Sequence, residues 1–103
     1  MKYFKVEVFI PEDYVVEFAN RLNEEGLLKD GNYDYVFATS KVRGHFRPIE
    51  GSSPFIGEIG QVCEVDEIKI EFRIKSCDLD KLKDIVEVVH PYEEPVVNII
   101  ELI

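Results

Sequence analysis

The residues best equipped for chemistry fall in two stretches far apart in the chain. His90 precedes Pro91, Tyr92, Glu93, Glu94 and Pro95, so an imidazole that titrates near neutrality has a phenol and two carboxylates close behind it. That set suits a general base or a metal ligand. The competing role is structural, because a His-Pro pair at a helix end fixes a turn and satisfies nearby backbone. The other stretch begins with His45, Arg47 and Glu50 and runs into a loop carrying Gly51, Ser52, Ser53, Pro54, Gly57 and Gly60. Backbone N–H groups of a glycine-rich loop can cradle an anion, with Arg47 supplying the charge. The loop lacks the Gly-x-x-x-x-Gly-Lys spacing, and no Gly-x-Gly-x-x-Gly precedes a helix, so a folded hairpin or cross-subunit loop is the alternative.

Metal chemistry has weak candidates in His45 and His90, with Asp34, Glu58, Glu93 and Glu94 as oxygen donors for a divalent cation. No ligand-type spacing ties them into a dedicated site. Cys63 and Cys77 form no Cys-x-x-Cys pair and read as free thiols. Ser40, Ser52, Ser53 and Ser76 have no adjacent histidine, which leaves no sequence signature of nucleophilic catalysis.

These side chains need a scaffold, and 103 residues with 46% apolar and 32% charged content describe one globular domain over 1–103. Such a chain buries enough surface for a core without staples. The 21 acidic residues against 12 basic ones give a net charge of −9, which argues against nucleic acid and anionic membranes as partners. No apolar stretch approaches the roughly 20 residues of a membrane span. The chain opens directly into a strand pattern without a signal-like region, so a cytoplasmic protein is expected.

Alternation predicts a half-buried strand over 3–10, with Phe4, Val6, Val8 and Ile10 on one face and Lys5, Glu7 and Phe9 on the other. Pro11, Glu12 and Asp13 suit a helix start. Val15, Phe18, Ala19 and Leu22 then make one apolar face, and Gly26 is placed to end the helix in a left-handed conformation. Asp30-Gly31-Asn32 is turn chemistry. The aromatic and β-branched run over 33–42 predicts a strand broken at Gly44, with 45–49 as a short return strand and 50–60 as a loop. A strand follows over 65–75, with Ile68, Ile70, Phe72 and Ile74 opposite Lys69, Glu71, Arg73 and Lys75. Helical spacing over 78–89 brings Leu79, Leu82, Ile85, Val86 and Val89 together, with Ser76 or Asp78 as cap. His90-Pro91 ends that helix, and 96–103 forms the last strand.

The fold class is therefore α+β: a ferredoxin-like βαββαβ sandwich with a four-stranded antiparallel sheet, two helices on one face, and an extra hairpin or loop. The opposite sheet face would present Phe9, Tyr35, Phe37 and the Lys69, Glu71, Arg73 row. A mixed aromatic and charged face suits subunit association, the alternative being an ordinary solvated sheet.

Two motifs in order, Gly31-Asn32-Tyr33-Asp34 with Gly44-His45-Phe46-Arg47-Pro48, Gly51, Pro54-Phe55-Ile56-Gly57 and Gly60, then His90-Pro91-Tyr92-Glu93-Glu94-Pro95, resemble the insert domain of the NIF-three-like (YqfO-type) dinuclear-metal proteins. His90-Pro91-Tyr92-Glu93 with Pro95 is also similar to the C-terminal signature of the CutA divalent-ion-tolerance family. CutA and PII signalling domains share a ferredoxin-like fold and typically form trimers, so the resemblance implies that fold and a homotrimer. The flanking segments that hold two metal ions in the full-length family do not occur in these 103 residues, and the turn at 26–31 lacks a Gly-small-Gly step. The expectation is thus an insert standing alone: a non-enzymatic, cytoplasmic module that binds a small ligand or a protein. Its ligand-binding candidates are Tyr33, Asp34, Arg47, Glu50, His90, Tyr92 and Glu93, at subunit edges. Two other readings are an accessory subunit of a split dinuclear-metal hydrolase, partnered by a metal-domain protein, and a CutA-like binder of a divalent cation.

Overall fold

A computed structural model describes residues 2–103. The chain runs β1 (Tyr3–Ile10), α1 (Val15–Glu24), β2 (Ala38–Phe46), β3 (Cys63–Lys75), α2 (Leu79–Val89) and β4 (Val97–Leu102). The four strands form one antiparallel sheet in the order β2-β3-β1-β4. This is the ferredoxin-like arrangement, with two βαβ halves interlocked so that β1 and β3 lie at the centre. Alternation explains the layering. Val6, Val8 and Ile10 of β1 and Ile70, Phe72 and Ile74 of β3 point to one side. There they bury against Phe18, Ala19 and Leu22 of α1 and Leu82, Ile85, Val86 and Val89 of α2.

The helix ends follow from backbone needs. After α1, Gly26 takes φ +81, and its N–H donates to the Asn23 carbonyl while the Leu27 N–H reaches back to Leu22. This pair of hydrogen bonds satisfies orphan carbonyls and seats Leu27 in the core, which is why glycine is wanted at that point. Both helices are entered through a short 3-10 turn, Glu12–Tyr14 and Ser76–Asp78. Neither Ser76 nor Asp78 makes the side-chain cap expected of it. His90, at φ −69 and ψ 129, has left the helical region as the residue before a proline should.

Three sequence expectations are corrected in the middle of the chain. The 33–37 run is not strand. The Tyr35 N–H donates to Asn23 Oδ1 at 2.8 Å, the Tyr35 hydroxyl donates to Asn20, and the Val36 N–H donates to the Leu28 carbonyl. Tertiary hydrogen bonds to α1 and its exit turn thus override β propensity, and Tyr35 even adopts φ +51. Consequently Tyr35 and Phe37 are not on the open sheet face, and Phe37 packs against the core. Gly44 does not break a strand: it is paired with Val65 inside β2. Residues 45 and 46 continue β2 with no return strand, so a single β2–β3 hairpin closes through a loop over 47–62.

The register has a further consequence. β1 ends at Ile10, opposite Ile68, whereas β2 and β3 stay paired as far as Phe46 and Cys63. The hairpin therefore overhangs the central strand and gives the molecule a long axis of 47 Å against 24 and 21 Å.

Candidate functional site

The overhang leaves room beyond the end of β1, and two segments fill its flanks. The 47–62 loop folds back on itself, its Gly60 N–H donating to the Pro48 carbonyl at 2.8 Å. From the other side, His90-Pro91-Tyr92-Glu93-Glu94 crosses from α2 to β4. Glu93 Oε1 accepts the Ser53 N–H at 2.9 Å, which ties the two stretches together. Between them lies a cleft of about 460 Å³, lined by Phe9, Gly44–Ile49, Ser52, Pro54–Ile56, Glu67, Tyr92–Glu94 and Val96. Tyr92 lies tilted against Phe46 and Phe55 at centroid distances of 6.1 and 6.2 Å, and Phe55 meets Tyr14 edge-on. Such aromatic contacts make the walls apolar and stiff.

His90 sits beneath this cleft and is 7% exposed. The Tyr92 N–H donates to its Nδ1 at 3.2 Å, so the ring proton lies on Nε2, which donates to the Phe9 carbonyl at 2.7 Å. Burial pushes the imidazole pKa down, against the Phe9 carbonyl and the negative charge of Glu67, which raise it. Both nitrogens are thus committed to backbone, and the imidazole pins the 90–92 turn to β1. His45 is on the cleft wall, exposed, with Nε2 3.3 Å from Glu64. Among the described residues no group of three His, Cys, Asp or Glu side chains is arranged to hold a metal ion.

Of the seven predicted ligand-binding residues, Arg47, Tyr92 and Glu93 line the cleft and His90 supports it. Glu50 lies on the exposed loop outside its lining. Tyr33 and Asp34 are elsewhere. Tyr33 bridges to Asp30 in the loop after α1, near the end of the sheet where Arg73 meets Asp30, and Asp34 accepts from Asn23 on α1. The antiparallel course of α1 and β2 sends these residues to the opposite end of the sheet from the overhang.

Sequence reasoning missed Glu67, the one buried carboxylate of the described residues at 8% exposure. Its side chain occupies the space above Gly44, where a Cβ would collide with Oε1. The carboxylate enters none of the side-chain hydrogen bonds or ion pairs among the described residues. The Tyr92 hydroxyl is also buried and lacks a hydrogen-bond partner. The Glu67 carboxylate is its neighbour and acts on it as a hydrogen-bond acceptor, outside the geometry of a well-formed bond. Burial first, and then the Glu67 carboxylate, push the phenol pKa far above its usual range, so Tyr92 stays a neutral hydroxyl.

The other side of the site's scaffold is the open sheet face. Lys5 contacts Glu7 and Glu71 at 3.4 and 3.1 Å, and Lys69 contacts Glu71 at 3.0 Å. Lys69 and then Lys5 pull the Glu71 pKa down, and Glu71 and Glu7 push that of Lys5 up. On the same face Ile100 and Leu102 of β4 remain exposed.

Comparison with known proteins gives this geometry a context. No family model matches the chain. A GTP cyclohydrolase 1 type 2 homologue of Staphylococcus epidermidis is 45% identical over 100 residues, covering 97% of this chain but 27% of the relative. The crystal structure of a Bacillus cereus protein related to NIF3 superposes with a TM-score of 0.84 at 31% identity, over 98% of this chain and 26% of that one. The chain spans about a quarter of the length of these relatives. The PII-like protein CutA from Nostoc shares the fold at a TM-score of 0.69 and 20% identity, over 99% of this chain and 81% of its own. This chain is thus similar, over nearly all its length, to one domain-sized segment of the NIF3-related proteins, in the ferredoxin-like fold of PII-like CutA.

Proposed function

We propose that residues 1–103 act as one non-enzymatic regulatory module that binds a small ligand or a protein partner in the overhang cleft. The observation that supports this reading is the convergence of Arg47, Tyr92 and Glu93, from two distant motifs, on one aromatic-walled cleft joined by the Ser53–Glu93 hydrogen bond. The module works in the cytoplasm as a homotrimer. The likeness to PII-like CutA supports assembly, and the open sheet face, with its Lys5, Lys69 and Glu71 network beside Ile100 and Leu102, is the surface for it. Native mass spectrometry of the gently purified protein tests the proposal. A mass three times that of the 12.0 kDa chain, with a defined added mass, is expected. A bare monomer contradicts it.

The greater length of the relatives favours a second reading, in which the module accompanies a dinuclear-metal hydrolase domain. Recovery of such a metal-domain protein in a gentle pull-down supports that arrangement, and its absence removes it. A CutA-like divalent-cation role has less to draw on, since both His90 nitrogens already serve the backbone.

A further inference from the structure

Glu67 is a largely buried carboxylate on the cleft wall, and no cation is paired to it among the described residues. A carboxylate removed from water loses solvation worth several kcal/mol, and buried charges are therefore paired, hydrogen-bonded or bound to a cation. Glu67 is 8% exposed and faces the cleft with no cationic side chain paired to it among the described residues. His90, its neighbour, is held neutral by burial and directs its proton at Phe9. The Tyr92 hydroxyl beside it is a neutral donor to one carboxylate oxygen at most and leaves the charge where it is. The fold even makes space for this carboxylate, because Gly44 has no Cβ to displace it. Lys5 and Lys69, on the same sheet face, are taken up by Glu7 and Glu71.

We propose that the cleft takes a small organic ammonium, whose N–H groups donate to the Glu67 carboxylate oxygens beside the Phe46 and Phe55 rings. This deepens the ligand-binding reading and rests on it. Three features select this class. Two oxygen acceptors suit an ammonium, which carries three donors at most, while a divalent cation such as Ca²⁺ or Mg²⁺ wants about six oxygens. Among the described residues no three acidic, histidine or cysteine side chains converge to supply them. Aromatic faces attract cations. The lining holds Glu67, Glu93 and Glu94 against Arg47 alone, so its field favours a positive ligand.

The test is an amide-resolved NMR titration of the whole protein with benzylammonium, and in parallel with benzyl alcohol, benzoate and magnesium chloride. Benzylammonium should shift the amides of Gly44, Phe46, Glu67 and Tyr92 and bind about tenfold more tightly than benzyl alcohol, as a charge-assisted hydrogen bond implies. Glu67→Gln should erase that preference. Glu67→Ala should likewise lose the preference, and it provides the comparison if Glu67→Gln does not fold. Stronger binding of benzoate or magnesium at the same amides overturns the ammonium assignment while leaving the binding cleft in place. Retention of the preference in Glu67→Gln also overturns it. If no probe moves these amides, the ammonium site and the ligand-binding reading fall together.

Discussion

Glu67 and Glu71 stand on the same face of β3, yet they belong to two differently built regions. Glu71 lies where β3 is flanked on both sides, opposite Glu7 of β1 and Ala38 of β2. Two lysines reach it, and it remains partly in water. Glu67 lies in the overhang, paired only with Val42 of β2, and there the place of a β1 neighbour is taken by the cleft and the 92–96 segment. It is largely buried and has no ion pair among the described residues. One strand thus has two differently built ends: its central part is satisfied by its neighbours and holds the fold together, and its overhang carries a carboxylate with no paired cation among the described residues.

The largest effect should come from forcing Glu67 out of its niche. Gly44→Val puts carbon where the carboxylate lies and should cost about 2 kcal/mol in urea unfolding, the scale of overpacking. The same change in a Glu67→Ala background should cost much less, because the niche is then empty, and an undiminished cost would break the coupling between the two positions. The next effect is a pH dependence through His90. Its folded pKa lies below the ordinary 6.5, so the unfolded chain binds the proton more readily. Its stabilising contribution is complete above pH 6.5 and declines as the pH falls from there toward the folded value. Unfolding midpoints at pH 7.5 and 5.5 should show the loss, and His90→Gln should flatten it. The smallest effect belongs to the contrasting carboxylate. Glu71→Gln removes two exposed ion pairs, and its slight destabilisation should vanish in high salt. A large, salt-independent loss would erase the distinction between the regions.

What could be read from the sequence follows the same division. The 65–75 alternation and the apolar faces of both helices were legible because their two sides meet such different surroundings, core on one and water or ions on the other. Gly26 was legible because a helix exit needs its backbone freedom. The 33–37 run misled, since its aromatic content suits a strand while Asn20, Asn23 and Leu28 hold it otherwise through contacts that exist only in three dimensions. Gly44 read as a breaker because its reason for being glycine is a side chain on another strand. Glu67 was invisible for that same reason: within Glu-Val-Asp-Glu-Ile-Lys it is one more charge in an alternating segment. Only the register reveals that β1 has already ended beside it. The meeting of Arg47 with Tyr92 and Glu93 was foreshadowed by their motifs, whereas Tyr33 and Asp34 were grouped with them by sequence order and separated by topology.

At the overhang the fold carries a largely buried carboxylate with no cation paired to it among the described residues, and the urea unfolding midpoint of Glu67→Gln against the unaltered protein at neutral pH tests this most directly. Removing a charge that no cation among the described residues balances should raise stability by about 1 kcal/mol. A lower midpoint for Glu67→Gln would contradict the account, because it would mean that the Glu67 charge is already satisfied within the fold and is not held ready for a ligand.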